Sequence, residues 1–311
     1  MAATNCEVSI AAHYVPERVP FLVQALEAIG QWQEHSASVT IVTNDMALAE
    51  EAEIARVVAE LETRGHSARF DRTHGLAHPF HLTWWHKAHL REWFERDGPA
   101  DDLFLYIEDD IAVTEANLHY FRRFLPAAKQ AGCIPGLLCY EIAPWDERYS
   151  TGFRGPQIVR EGECLALEGQ RFVSPAFPYW PGFILDRELC AQYLASPWSD
   201  IEQAERMPQS ARHTCRVQSA WALTYDNVPK GLHSRYVLPV DARLNPLPES
   251  CVLHTAGNYS VTRRYSFGTV RLRDVFLPMG ITSSLRQGWW NARALMRRIA
   301  DKLRRTFSSA G

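Results

Sequence analysis

Asp101-Asp102-Leu103-Phe104-Leu105-Tyr106-Ile107-Glu108-Asp109-Asp110-Ile111-Ala112-Val113 joins an unbroken apolar run to three consecutive carboxylates. The run from Leu103 to Ile107 holds no Gly or Pro, so it reads as a short buried strand. Three anions at the end of such a strand repel one another and are costly to desolvate. Something close by must neutralise them. A divalent cation does so, because carboxylate oxygens are the preferred ligands of Mg²⁺ and Mn²⁺. A solvated strand end paired with Arg or Lys is the other solution. In an extended chain Glu108 and Asp110 share one side and Asp109 points to the other.

Outward from this stretch, strand and helix patterns alternate. Glu7 to Ala12 and the β-branched Val39 to Thr43 read as strands, with a third short one at Ala68-Arg69-Phe70. Helical apolar spacing covers Val19 to Trp32, Ala47 to Arg64, His81 to Phe94 and Asn117 to Ala131, and Ile134 to Tyr140 is again a strand. About 140 residues of such alternation imply an α/β fold with a mostly parallel central sheet and helices on both faces. Ligands of open sheets bind beyond the carboxyl ends of the strands. His13, Asn44-Asp45 and Glu108-Asp109-Asp110 all follow strands, so they are expected to converge on one crevice.

Residues 145–182 are rich in Gly, Pro and aromatics and read as an irregular insertion with short strands at Glu163 to Leu167 and Arg171 to Ser174. Tyr179 to Leu185 returns to a strand, and Asp186 caps a helix to Leu194. A further helix is expected near His213 to Thr224, and extended segments at Arg235 to Val240 and Cys251 to His254. The expected division is one domain over 1–265, with halves 1–144 and 145–265, followed by a tail at 266–311.

At 311 residues, 46% hydrophobic and 22% charged, the composition is that of an ordinary globular protein. A net charge of −3 argues against a general nucleic-acid-binding surface. Seven dispersed cysteines without C-x-x-C spacing favour reduced thiols, hence a cytoplasmic protein. The first residues carry no signal-peptide pattern, and no window approaches the ~18 apolar residues of a spanning helix.

Three further constellations carry chemistry. In Val252-Leu253-His254-Thr255-Ala256-Gly257, a His ends an apolar strand and a Gly follows three residues later. Imidazole is a suitable additional metal ligand, and the Gly leaves room for a phosphate. The His-rich stretch 74–87 lacks H-E-x-x-H spacing, which argues against zinc there, and Trp84 and Trp85 are expected in the core. In the tail, Leu285, Trp289, Ala292, Met296, Ile299, Leu303 and Phe307 fall on one helical face, with seven Arg and Lys against Asp301 alone. This is the pattern of a basic amphipathic helix lying on an anionic membrane surface, so residues 285–307 suggest peripheral attachment to a cytoplasmic face.

The acidic strand end, the Pro181-Gly182-Phe183-Ile184-Leu185 passage and His254-x-x-Gly257 together resemble the glycosyltransferases of the GT-A fold, over about residues 6–260. The resemblance implies that a D-x-D-type motif, here Glu108-Asp109-Asp110, holds Mn²⁺ or Mg²⁺ on the diphosphate of a nucleotide-sugar donor. Glu108, Asp110 and His254 are then the metal ligands. Asn44 or Asp45 is the candidate nucleoside contact, with His13 and Asp109 beside it. His86, Lys87 and Arg91 are the candidates to face the diphosphate, and 145–182 the acceptor wall. The chain departs from the family pattern at Glu108, which is longer than Asp. Inverting members place an acid where this chain reads Arg212-His213-Thr214-Cys215-Arg216-Val217-Gln218. Glu202 or Glu205 stands in as catalytic acid, or the enzyme retains configuration. The expected acceptor is a glycan or lipid-linked glycan. Two other readings stay open. A metal-dependent nucleotidyltransferase would use the same acids, although Ala11 to Pro16 contains no Gly for a phosphate loop. A non-catalytic membrane-surface adaptor would need only the tail.

Overall fold

Nine residues of alternating small and branched side chains open the fold as β1 (Thr4–Ala12), whose last seven positions are buried. A buried strand must pair on both edges, and β1 does. It runs parallel to β2 (His35–Thr43), with Ala12 opposite Thr43, and parallel to β4 (Leu103–Glu108), with Ala11 opposite Glu108. The half-exposed β3 (Ser67–Arg72) lies parallel to β2 at one edge. The strand Gly182–Leu185 runs antiparallel to β4 at the other. The sheet order is therefore Gly182–Leu185, β4, β1, β2, β3. This is the mixed α/β fold with a mostly parallel sheet that the alternation implies. The computed structural model describes residues 4–207, 214–260 and 268–280, with Gly288 and Ala292.

Helices join the parallel strands. In α1 (Val19–Gly30) the buried positions Leu22, Val23, Ala25, Leu26 and Ile29 recur at helical spacing. The expected helix 47–64 is broken: α2 (Ala47–Glu50) ends where Glu51 turns extended at ψ 123°, and α3 (Ala52–Thr63) starts afresh. A 3₁₀ segment, Pro79–Trp84, precedes α4 (His86–Glu95), because Pro79 suits a first-turn position rather than a helix interior. The two-residue β5 (Ile111–Ala112) and α5 (Glu115–Gln130) follow the acidic strand. Asp186 caps Arg187–Leu194 as expected, accepting from Leu189 N–H at 2.8 Å.

The chain divides into two compact units that interleave along the sequence. The first unit takes residues up to Arg123 together with Tyr179–Val228 and Val252–Ala256. The second takes Phe124–Pro178 and Pro229–Cys251, and the described residues from Gly257 onward. Within the second unit, Cys164–Leu167 and Gln170–Val173 form a hairpin that pairs with Tyr236–Pro239. The expected strand 134–140 is two strands, Ile134–Pro135 and Leu138–Ile142, parted at Gly136 and Leu137. Its core gathers Leu138, Phe153, Val173, Leu238 and Phe276. Buried Glu141 is satisfied by the backbone N–H groups of Tyr259 and Ser260. Among the described residues no helix is long and apolar enough to cross a membrane. Apart from Gly288 and Ala292, the expected amphipathic helix at 285–307 lies outside the described residues. No disulfide joins the seven cysteines.

Gly182 allows the close approach of its strand to β4, since a Cβ there would overlap the Tyr106 carbonyl oxygen and the Trp180 ring. Gly182→Ala should therefore cost about 1–3 kcal/mol by overpacking, read as a lower urea midpoint at an unchanged m-value.

Candidate active site

The parallel register brings the carboxyl ends of β1, β2, β3 and β4 to one edge of the sheet. Glu108 is the last residue of β4, and Asp109 and Asp110 form a turn before β5. The extended geometry expected for Glu108-x-Asp110 is therefore corrected: the two aspartates do not alternate across a pleat. The backbone of this turn is tied on three sides. Glu108 N–H donates to the Pro181 carbonyl and Asp109 N–H to that of Ala11, both at 3.1 Å, and Thr255 N–H donates to Asp110 O at 2.8 Å.

All three carboxylates are buried, Asp110 to 1% exposure. Two arginines meet them. Arg18, at the end of the 3₁₀ turn Pro16–Arg18, donates from Nε to Asp109 Oδ2 at 2.8 Å and from Nη2 to Asp110 Oδ2, also at 2.8 Å. The same Nη2 closes a second bond to Asp109 Oδ1. Arg216, on the short helix Cys215–Ser219, reaches Glu108 Oε2 from Nε at 2.6 Å and also from Nη2. His254 pairs its strand with β5, opposite Ile111, and brings Nε2 to 3.4 Å from Asp110 Oδ2. Two oxygens remain. Glu108 Oε1 and Asp110 Oδ1 are buried and receive no hydrogen bond from the described residues.

The electrostatics separate the three acids. Burial raises the Glu108 carboxyl, with Arg216 opposing it. Burial pushes Asp109 up to about 6, against its bonds to Arg18. Burial also acts on Asp110, but the charges of His254, Arg18 and Arg216 outweigh it and hold that carboxyl below the ordinary range. Asp110 is thus the firmly anionic member. The donor set fits a hard divalent cation, because two carboxylate oxygens lack a donor among the described residues and an imidazole stands against the other oxygen of Asp110. It is an incomplete cage, and Mg²⁺-type ions are commonly completed by water and substrate phosphate.

The other sequence candidates fall elsewhere. His13 is half-buried just past β1. Asn44 holds the same turn, its Oδ1 accepting from Tyr14 N–H at 2.8 Å, and Asp45 caps the start of α2 through Ala47 N–H at 3.0 Å. His86 and Lys87 do not face solvent. His86 is buried with Nδ1 at 2.7 Å from Thr83 O and its ring stacked 3.8 Å from Tyr106. Lys87 spends its ammonium on the Tyr193 hydroxyl and the Trp198 carbonyl, 4.1 Å above the Trp84 ring. Burial drives its pKa well down. Arg91 donates to Ser199 O at 3.1 Å. Glu202 and Glu205 are exposed on the helix Ile201–Arg206, where Glu202 lies 3.7 Å from Arg206. Trp84 is in the core and binds Cys215 O through Nε1 at 2.8 Å, which seats the helix carrying Arg216. Trp85 is instead at the surface, bonded to Asp71.

Arg18 and Arg216 are the residues that sequence reasoning passed over. Buried acids demand cations, but the basic residues on the preceding helix, His86, Lys87 and Arg91, are not the ones that supply the charge. Arg216 lies 108 positions away in the segment 212–218, which drew notice only for its missing acid.

No protein-family model matches the chain, and no curated protein matches it. Among solved structures it is similar to the galactosyltransferase LgtC in complex with donor and acceptor sugar analogs, at 13% identity and TM-score 0.40, covering 81% of this chain and 87% of that one. It is also similar to the apo-form glycosyltransferase GlyE of Streptococcus pneumoniae TIGR4, at 8% identity and TM-score 0.31, covering 69% of this chain and 42% of that one. At such scores the likeness carries no argument about the site.

Arg216→Ala leaves Glu108 buried without its partner and should cost about 1–3 kcal/mol in urea unfolding. The double variant with Glu108→Gln should recover part of the loss. Burial holds His86 neutral far below its ordinary range. A lowered imidazole withdraws stability as pH falls, beginning near the unfolded value of about 6.5. The stability difference between wild type and His86→Asn should therefore shrink from pH 7 to pH 5, measured by denaturation at each pH.

Proposed function

We propose that this chain is a metal-dependent glycosyltransferase that moves a sugar from a nucleotide-sugar donor to a glycan or lipid-linked glycan acceptor at a membrane surface. One observation carries the reading: at the edge where parallel strands end, the acidic end of β4 keeps two buried carboxylate oxygens without donors among the described residues, and His254 stands against the other oxygen of Asp110. Natural folds seldom leave such atoms unsatisfied without a role for them. Asp110, Glu108 and His254 would hold Mn²⁺ or Mg²⁺, which supplies charge withdrawal from a departing diphosphate. Asp110 stays anionic at neutral pH and offers Oδ1. Arg18 and Arg216 fix the orientation of the acids. Their side chains are 26% and 30% exposed, so their outer edges also present positive charge to an anionic leaving group. The seven Arg and Lys in the sequence 285–307, against Asp301 alone, support docking on anionic lipid.

The test measures hydrolysis or transfer across a panel of nucleotide sugars with Mn²⁺. Asp110→Asn should lower the rate by on the order of 100-fold or more, and chelation should do the same. Full activity in chelator would remove the metal from the proposal and leave the two arginines as the cationic site. Failure of every nucleotide to raise the melting temperature with metal present would end the transferase reading.

A further inference from the structure

His35 opens β2 with a side chain 3% exposed, an unusual place for an imidazole. Facing it, α5 begins with Glu115 and carries His119 one turn later, and residues four apart in a helix lie on the same face. One ligand atom from each of His35, Glu115 and His119 lies within 4.8 Å of the other two. We propose that these three side chains bind a borderline transition-metal ion of the Zn²⁺ class, in a site separate from the acidic strand end.

The geometry supports a prepared site. His35 Nδ1 stands 3.2 Å from Glu115 Oε1. Ligands held about 2.0–2.2 Å from a tetrahedral Zn²⁺ are about 3.3 Å apart, so little movement is needed for this pair. Glu115 Oε1 also accepts the backbone N–H groups of Gln33 at 2.9 Å, Glu34 at 2.6 Å and His35 at 3.2 Å. These bonds fix the carboxylate beside the His35 ring. The His35 Nε2 atom is buried with no hydrogen-bond partner among the described residues, so the ring's polar capacity is only half used. The His119 ring stands edge-on to that of His35 at 5.1 Å and is open to solvent, which gives an ion a path in. Glu34 Oε2, 3.8 Å from His119 Nε2, is placed as a fourth ligand, or water takes that position.

The protonation states agree. Burial lowers the His35 imidazole, with Glu115 opposing. Burial acts on Glu115 too, but the backbone donors and His35 outweigh it and keep that carboxylate ionised. A neutral imidazole and an anionic carboxylate are the forms a metal takes. Two imidazoles and a carboxylate select Zn²⁺, Co²⁺ or Ni²⁺ over Mg²⁺. Bound there, the ion would clamp the start of β2 to the first two turns of α5.

The test uses the full chain stripped of metal. Co²⁺ titrated into it should give the visible absorption bands of a four-coordinate site, and Zn²⁺ but not Mg²⁺ should raise the melting temperature. His119→Ala removes a ligand at an exposed position, so it should weaken Co²⁺ binding by about tenfold or more without lowering the metal-free melting temperature. Asp110→Asn should leave the Co²⁺ bands in place, which separates this site from the acidic strand end. Bands unchanged by His119→Ala, bands lost in Asp110→Asn, or no thermal response to Zn²⁺ would each overturn the proposal.

Discussion

Three carboxylates buried side by side at the end of β4 are the constraint around which the first unit is organised. Each would cost several kcal/mol to desolvate alone, and together they repel. The structure answers with two guanidiniums and an imidazole drawn from three distant segments: Arg18 before α1, Arg216 on the helix Cys215–Ser219 and His254 at the end of its strand. The compensation is partial. Counter-charge reaches one oxygen of Glu108 and one of Asp110 and leaves the other of each without a donor.

The surroundings serve this arrangement. The parallel sheet brings the acids to the edge where its strands end, while the antiparallel strand Gly182–Leu185 closes the far side of β4 and Pro181, just before it, supplies the carbonyl that holds Glu108 N–H. Trp84, through Cys215 O, seats the helix that bears Arg216. The residues between strands and site are therefore mostly positioning residues. That explains the burial of His86 and Lys87: they fill the space behind the acidic strand and spend their polar atoms on interior partners.

Much of the fold is legible locally. The run Leu103–Ile107, the period of α1 and the Asp186 cap each follow from neighbours in sequence, since strand and helix periodicity and capping are short-range physics. Boundaries read less well where backbone geometry intervenes. Glu51 breaks the helix expected over 47–64, and Asp109-Asp110 turns where an extended chain was expected. The candidate site divides along the same line. Its acids and His254 stand out because charge beside an apolar strand is conspicuous. The arginines do not, because an Arg in a loop resembles any surface cation until its partner is known.

By itself the sequence determined that carboxylates end a buried strand, that strands and helices alternate, and that the acids require compensation, because burial cost and periodicity depend on residue type and local order alone. Only the tertiary structure decided which cations supply that compensation, which oxygens stay unsatisfied, and that His35 meets Glu115 and His119. Those outcomes depend on contacts between residues about 80 to 145 positions apart, whose closeness is set by sheet register and helix packing rather than by any local pattern.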